Sequence, residues 1–264
     1  MENNFELSVI LPTLNEAKNL EILIPGIIRN LNSIENLNYE IIIVDDGSSD
    51  NTFDLLTNTN FDGDVKLIQR QEPPSLPLSI FTGIEKSKFI NVAWMDADGS
   101  MPPEVLRDMV KLNSNNKSSV IIGSRFIEGG GYKGIKELGK SSIFSAIKNV
   151  YQSKDSVLGM LVSTLFNIFL IKILNVSVKD ITSGFIVGRK EYFKKAIFKN
   201  ADYGDYFIYL VSDLTISNID IIELGYICET RIYGESKTST NILQLVKRGI
   251  PYIKAANNCR KVKY

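Results

Sequence analysis

An apolar run that stops abruptly at two carboxylates, Val92-Ala93-Trp94-Met95-Asp96-Ala97-Asp98, constrains this chain more than any other stretch. Such an unbroken apolar segment reads as a strand buried on both faces. Alternate residues of an extended chain point the same way, so Asp96 and Asp98 project together from its C-terminal end. Like charges held side by side repel. A fold keeps them where a cation neutralises them or where they titrate upward. Hard oxygen donors of this kind suit Mg2+ or Mn2+ bridging to a phosphate. Alone, an Asp-x-Asp tripeptide is as readily a solvated turn, so the reading depends on the rest of the chain.

Two further runs agree with it. Tyr39–Val44 is β-branched and ends at Asp45-Asp46-Gly47-Ser48-Ser49-Asp50, and Leu7–Leu11 ends at Pro12-Thr13-Leu14-Asn15-Glu16. Beyond the latter, Leu20, Leu23, Ile24, Ile27 and Ile28 recur on one helical face, with Thr13 or Asn15 predicted as the cap. Strands alternating with helices imply parallel βαβ units. Ligands of open parallel sheets sit beyond the carboxyl ends of the strands. All three acidic segments fall at such ends, which predicts one anionic pocket built from three loops.

Composition narrows the chemistry. The chain has 264 residues, 44% of them hydrophobic, enough for one domain with or without an appendage. Its net charge of zero hides an asymmetry: Arg231 to Tyr264 holds eight Lys or Arg against Glu235 alone. A basic, partly apolar end on an acidic body favours an anionic surface, a membrane leaflet or a phosphorylated ligand, or simply aids solubility. With no histidine, Ser-His and Cys-His nucleophile systems and His-ligated zinc are excluded. Cys228 and Cys259 form no CxxC and no signal peptide is evident, so a reducing, cytosolic setting is expected. A GxxxxGK[ST] loop is missing, and no nucleic-acid-binding module accompanies the basic end, so no nucleic-acid partner is expected.

With LSVILPTLNE, IIIVDDGSSDNT and MDADGSMPPE in this order, the chain resembles the family 2 glycosyltransferases of the GT-A fold. Gly123-Ser124-Arg125-Phe126, Glu128-Gly129-Gly130-Gly131, Asp180-Ile181-Thr182-Ser183-Gly184-Phe185 and Arg231-Ile232-Tyr233-Gly234-Glu235-Ser236-Lys237 are similar to the polyprenyl-phosphate branch, which contains the dolichol-phosphate mannose synthases. The resemblance implies an α/β, Rossmann-like, mostly parallel sheet flanked by helices, with interfacial helices towards the C-terminus. It also implies an inverting, metal-dependent transfer of a sugar from a GDP- or UDP-sugar to a polyprenyl phosphate. Pro12, Glu16 and Asp46 would hold the nucleoside, with Val44 lining the base. Asp96 and Ala97 would lie near the ribose and donor sugar, and Asp98, with Ser100 beside it, would ligate Mg2+ or Mn2+. Arg125, Arg231 and Lys237 would engage donor and acceptor phosphates, a role suited to the planar guanidinium fork and the compact ammonium. Asp96, Asp98 and Arg125 are the expected catalytic residues.

A polyprenyl phosphate is already ionised at neutral pH, so its attack needs positioning and charge neutralisation more than a base. A saccharide hydroxyl acceptor, the first alternative, would need one, and Asp205 is the candidate outside the acidic cluster. A non-catalytic nucleotide-sugar-binding scaffold is the second alternative. Departures from the family pattern motivate it: prolines in Arg70–Ser79, Ser100 where Gln is frequent, and Leu14 where Tyr is frequent. An apparent insertion over about 132–156 and Gly159-Met160 in place of arginines add to them.

The expected organisation is a catalytic domain over 1–240 and a basic amphipathic tail over 241–264. Val157 to Val176 is long enough to span a bilayer if helical, about 30 Å, but it holds Ser163, Thr164, Asn167, Lys172 and Asn175. A single crossing would also separate the aspartates from Thr182-Ser183-Gly184. It is therefore read as an interfacial or core helix, and the protein as peripheral or monotopic on the cytosolic leaflet.

Overall fold

The structure, a computed structural model, describes residues 4–132, 157–233 and 242–262. The expected insertion beyond Tyr132, with its lysines, and Lys237 lie outside the described residues.

Strands β1 (Phe5–Thr13), β2 (Leu37–Asp45), β3 (Val65–Gln69) and β4 (Asn91–Trp94) run parallel in the order β3-β2-β1-β4. Helices α1 (Ala17–Leu31), α2 (Thr52–Asn58) and α3 (Leu76–Lys86) connect them, and α4 (Pro103–Asn115) leads on to β5 (Val120–Ser124). The period-2 side-chain alternation divides each strand between two cores. Val9, Leu11, Ile41 and Ile43 pack with α1 and α4; Ile10, Ile42, Val44 and Trp94 pack with α3 and the C-terminal helices. Burial on both faces is why these strands read as continuous apolar runs. On α1, Leu20, Leu23, Ile24, Ile27 and Leu31 are fully or almost fully buried, each contributing roughly 1.5–3 kcal/mol of apolar transfer.

The sheet is mostly parallel with one reversal. Antiparallel β7 (Ile186–Arg189) sits between β4 and β5, pairing Ala93 with Val187 on one side and Val187 with Ile121 on the other. Strand β8 (Ile221–Gly225) closes the edge parallel to β5. Short β6 (Gly131–Tyr132) and β9 (Ile227–Cys228) form a separate parallel pair.

The start of α1 differs from the sequence expectation. Thr13 still belongs to β1, and Asn15 adopts a left-handed φ of 59° with its amide turned away from the helix. The first helical N–H, of Ala17, is taken at 3.1 Å by a carboxylate oxygen of Asp50, 33 residues away. The cap is thus supplied across the sheet edge and not by a neighbour in sequence.

Helix α5 (Val157–Leu174) ends at Asn175, whose φ of 50° is the left-handed stop common at helix C-termini. Its Leu170 and Leu174 are buried, as is Asn167, whose side chain donates to the carbonyl of Lys179 and accepts from the N–H of Ile181. The polar residue that made this segment unsuitable for lipid is therefore a staple for the loop carrying Asp180. After α6 (Lys195–Lys199) and α7 (Tyr206–Ile216), the C-terminal stretch forms α8 (Ile242–Val262). This helix docks through buried Ala255, Ala256 and Cys259 and through Tyr252, whose ring meets Phe166 of α5 edge-on at 6.0 Å. Among the described residues, no helix is long and apolar enough to cross a membrane.

Candidate active site

The loops at the C-terminal ends of β1, β2, β4 and β5 meet at one edge of the sheet. Register aligns them: Thr13 lies opposite Asp45 and Ile10 opposite Trp94. Most of the charge at the end of β2 is engaged internally. Asp45 accepts from the hydroxyl and N–H of Ser48, across a turn that needs the positive φ of Gly47 (86°). The amide oxygen of Asn15 accepts from the N–H groups of Ser49 (2.7 Å) and Asp50 (3.3 Å), and Asp50 accepts from Thr52 as well as from Ala17. Asp46 is buried and paired with the equally buried guanidinium of Arg70, and also accepts from the N–H of Ser75. The expected anionic pocket thus reduces to Glu16, Asp96 and Asp98, while Asp46 fixes the proline-containing loop. Its carboxylate oxygens keep further lone pairs for a nucleoside donor group. Val44, expected to line the base, is wholly enclosed in the core. Pro12 is also buried, at the end of β1.

Around the aspartates, both responses to like-charge crowding are present. Asp98 is neutralised by Arg231, whose Nη2 donates to Oδ2 at 3.0 Å while Nη1 donates to Glu16 Oε1 at 2.8 Å. Asp96 instead is pushed up to about 7, first by burial and then by the charge of Asp98, against the pull of Arg231 and Arg125. The N–H of Ser100 donates to Asp98 Oδ1 at 2.9 Å and so orients the carboxylate. Ala97 is buried between the two aspartates. Beneath them the indole N–H of Trp94 donates to Tyr206 Oη at 3.0 Å.

Arg231 reaches the site on a strap, residues 229–233, laid across the aspartate loop. Glu229 N–H donates to Ser100 O at 2.9 Å and Ile232 N–H to Asp98 O at 3.2 Å. Gly99 has a φ of 80°, a conformation that favours glycine, and a Cβ there would lie 2.6 Å from Ile232 Cδ1 and push that side chain aside.

Arg125, at the end of β5, directs its fork at Asp180, which has no exposed surface. Nε and Nη2 each donate at 2.8 Å, the Arg125 N–H adds 3.0 Å, and Thr182 Oγ1 accepts from Nη2 at 2.9 Å. The guanidinium also lies near the rings of Phe126 and Tyr132, 5.3 and 5.7 Å from their centroids. Nη1 is the part of the fork that these hydrogen bonds leave for a ligand. Asp205 does not stand ready as a base: its carboxylate accepts from the N–H groups of Asp202 and Tyr203, 3.1 and 2.7 Å away, inside its own turn. Cys228 is not an ionised nucleophile, since burial pushes its thiol up to about 11.

Sequence reasoning singled out neither Arg70, Asp180 nor Asn19. Asn19 carries the one local signal, a polar side chain three residues after Glu16 beside the apolar face of α1. It donates to Glu16 Oε2 and binds the backbone of Tyr233 twice, accepting from its N–H at 2.9 Å and donating to its carbonyl at 3.2 Å.

Among the described residues, no three acidic or thiol side chains converge as a ready-made metal cage. Mg2+ at nucleotide sites is ordinarily held by one or two carboxylates and completed by phosphate oxygens. The hard, oriented oxygens of Asp98 match such a role.

Comparison with known proteins agrees with this geometry. The profile of "Glycosyl transferase family 2" matches residues 8–197. A dolichol-phosphate mannosyltransferase of Pyrococcus furiosus is 37% identical over 125 residues, 47% of this chain and 34% of that protein. The poly(ribitol-phosphate) β-N-acetylglucosaminyltransferase TarP of Staphylococcus aureus is 30% identical over 167 residues, 58% of this chain and 50% of that protein. The matches thus span about a third to a half of these curated relatives. Glucosyl-3-phosphoglycerate synthase of Mycobacterium tuberculosis superposes on 97% of this chain and 81% of its own, with a TM-score of 0.61 at 16% identity. It has also been solved with Mn2+ and UDP. With the family profile matched over residues 8–197 and a mostly parallel sheet of the same fold as its structural neighbours, the chain belongs to glycosyltransferase family 2.

Proposed function

We propose that this protein is an inverting, metal-dependent hexosyltransferase that moves a sugar from a nucleotide sugar, GDP- or UDP-linked, to a polyprenyl phosphate. The observation that carries the reading is the state of the carboxylates. Asp45, Asp46, Asp50, Asp180 and Asp205 are tied into the loops around them, while Asp96, Asp98 and Glu16 lie together, the last two sharing Arg231, where a nucleoside diphosphate would lie. Such a site suits an acceptor that arrives ionised. The matched dolichol-phosphate mannosyltransferase supports the acceptor class.

In this scheme Pro12, Glu16 and Asp46 hold the nucleoside. Asp96 and Ala97 face the ribose and donor sugar, and Asp98 and Ser100 present oxygens to the diphosphate side. A divalent cation bound there would neutralise the diphosphate charge. Arg231 and Lys237 contribute positive charge to the departing group. An acceptor phosphate oxygen forms the new bond to the anomeric carbon as the bond to the diphosphate oxygen breaks, and the nucleoside diphosphate leaves with the electron pair. Arg125, fixed by Asp180, offers its remaining N–H groups to the acceptor phosphate. The site's contribution is position and preorganised charge.

We also place the protein on the cytosolic leaflet as a peripheral, monotopic enzyme. Leu165, Ile168 and Phe169 stand exposed on α5 at helical spacing, 66%, 45% and 50% accessible, and Ile250 and Ile253 on α8. Neither helix contains Asp or Glu, while α5 carries Lys172 and α8 carries Lys254, Arg260 and Lys261. Exposed apolar groups among basic ones are the pattern of surface-bound helices.

Nucleoside diphosphate release from a panel of nucleotide sugars, with and without undecaprenyl or dolichyl phosphate and Mn2+, tests the proposal. Release requiring both lipid phosphate and metal is expected. A sugar label found only in water-soluble glycan would favour a saccharide acceptor, the second reading, which the likeness to TarP supports. No release from any donor would leave the scaffold reading.

A further inference from the structure

Arg231 connects two carboxylates that both come from the first half of the chain. It meets Glu16 and Asp98 at 2.8 and 3.0 Å, and in the proposed scheme these carboxylates serve the nucleoside and the metal–diphosphate. The arginine is not free to wander. Two backbone hydrogen bonds tie residues 229 and 232 to the aspartate loop, and Ile232 rests on Gly99. Beyond Arg231, Asn19 grips Tyr233 by both its N–H and its carbonyl, and the same amide steadies the second oxygen of Glu16. Asn19 is itself buried, so this double grip is protected from water.

We propose that Asn19 is a positioning residue for this site: by clamping Tyr233 it holds Arg231 against Asp98 and Glu16, so that a divalent cation reaches Asp98 Oδ2 only by displacing the guanidinium and meets its charge at Oδ1. This rests on the nucleotide-sugar reading for its purpose, but not for its physics. One carboxylate oxygen cannot serve a guanidinium at 3.0 Å and a divalent cation together without close cation–cation repulsion. Once a diphosphate is present, the displaced arginine has an anion to move to. Metal alone therefore meets a resisting site, and metal with nucleotide meets a receptive one.

Calorimetric titration tests the idea with two probes, MnCl2 alone and UDP or GDP at saturating Mn2+. Arg231→Gln is expected to bind Mn2+ alone about tenfold or more tightly than the unmodified protein, because a unit charge beside the ligand oxygen is gone. The same variant is expected to bind nucleoside diphosphate about tenfold more weakly, having lost a charge-assisted phosphate contact. Asn19→Leu is expected to shift both constants in the same opposite directions, by less. Arg231→Lys, which keeps the charge but cannot bridge two carboxylates, is expected to fall between. The opposite signs matter, since a general loss of structure would weaken both probes. Arg231 is partly exposed, so its Gln variant should fold even if Asn19→Leu does not, and circular dichroism verifies this. Mn2+ affinity that is unchanged or weaker in a folded Arg231→Gln variant overturns the proposal. The metal-only arm needs no donor, so it stands or fails separately from the transferase reading.

Discussion

Replacing Asp180 by Asn leaves the guanidinium of Arg125 buried without its counter-charge. Asp180 accepts from Arg125 N, Nε and Nη2 at 3.0, 2.8 and 2.8 Å, and from the N–H and hydroxyl of Thr182 at 3.3 Å each. An Asn amide can present one oxygen to these donors, and its NH2 group points a further donor at the others. Removing one partner of a buried pair costs about 3–5 kcal/mol, because the remaining charge stays desolvated. For a chain of this size that is a fall in Tm of roughly 6–20 °C. Urea unfolding followed by circular dichroism and by the fluorescence of Trp94, the only tryptophan and a buried one, reads the loss directly. The midpoint should fall with little change in slope. The pair Arg125→Met and Asp180→Asn together should cost clearly less than the sum of the two alone, since no charge is then stranded. A loss below about 1 kcal/mol for Asp180→Asn, or strict additivity in the double variant, refutes the reasoning.

Glu40, fully buried at the opposite end of the sheet, accepts from Ser8, Lys66 and the Lys88 N–H, which together hold its carboxyl below the ordinary 4.5 despite burial. Its contribution is therefore complete above about pH 4.5 and is lost as pH falls through the depressed value. Glu40→Gln should cost about 1.5–3 kcal/mol at neutral pH and flatten the acid limb of the stability profile; an unchanged limb would refute this. Gly83 of α3 lies so close to β1 that a Cβ would sit 2.4 Å from Ile10 Cγ2. Gly83→Ala should thus destabilise by about 1–3 kcal/mol in a thermal melt, where the same change in an open helix stabilises. Changing Ile168 and Phe169 together to Gln should weaken binding to anionic vesicles tenfold or more, given about 1.5–3 kcal/mol per buried side chain of this size. Unchanged vesicle sedimentation would remove the α5 face from the membrane reading.

What the sequence revealed and what it hid follow from the range of the interactions involved. Continuous apolar runs are local signals, so β1, β2 and β4 and their acidic ends were legible before any coordinates. The edge location of Asp96 and Asp98, and the upward pressure on one of them, followed from the same pattern. Hydrogen-bond partners distant in sequence leave no periodic trace. Nothing near Asp46 points to Arg70, nothing near Ala17 to Asp50, and nothing near Arg125 to Asp180. For this reason carboxylates that looked like a shared anionic pocket proved to be individual ties between loops. Asn167 shows the reverse error of emphasis: its polarity argued about lipid, while its function is to hold the turn before Asp180.

The reversed strand β7 has a consequence for how the chain is made. Strands β4 and β5 never touch, and the slot between them is filled by residues 186–189, which leave the ribosome about 60 residues after Val120–Ser124. Until then β4 presents an unpaired, largely apolar edge, the kind that recruits other chains. A nascent chain holding both aspartates therefore has no finished sheet around them. Arg231, 215 residues from Glu16 and 133 from Asp98, arrives later still. Ligand affinity should accordingly appear only once Arg231 has emerged, and a polypeptide released after β5 should favour aggregation over a half-working enzyme.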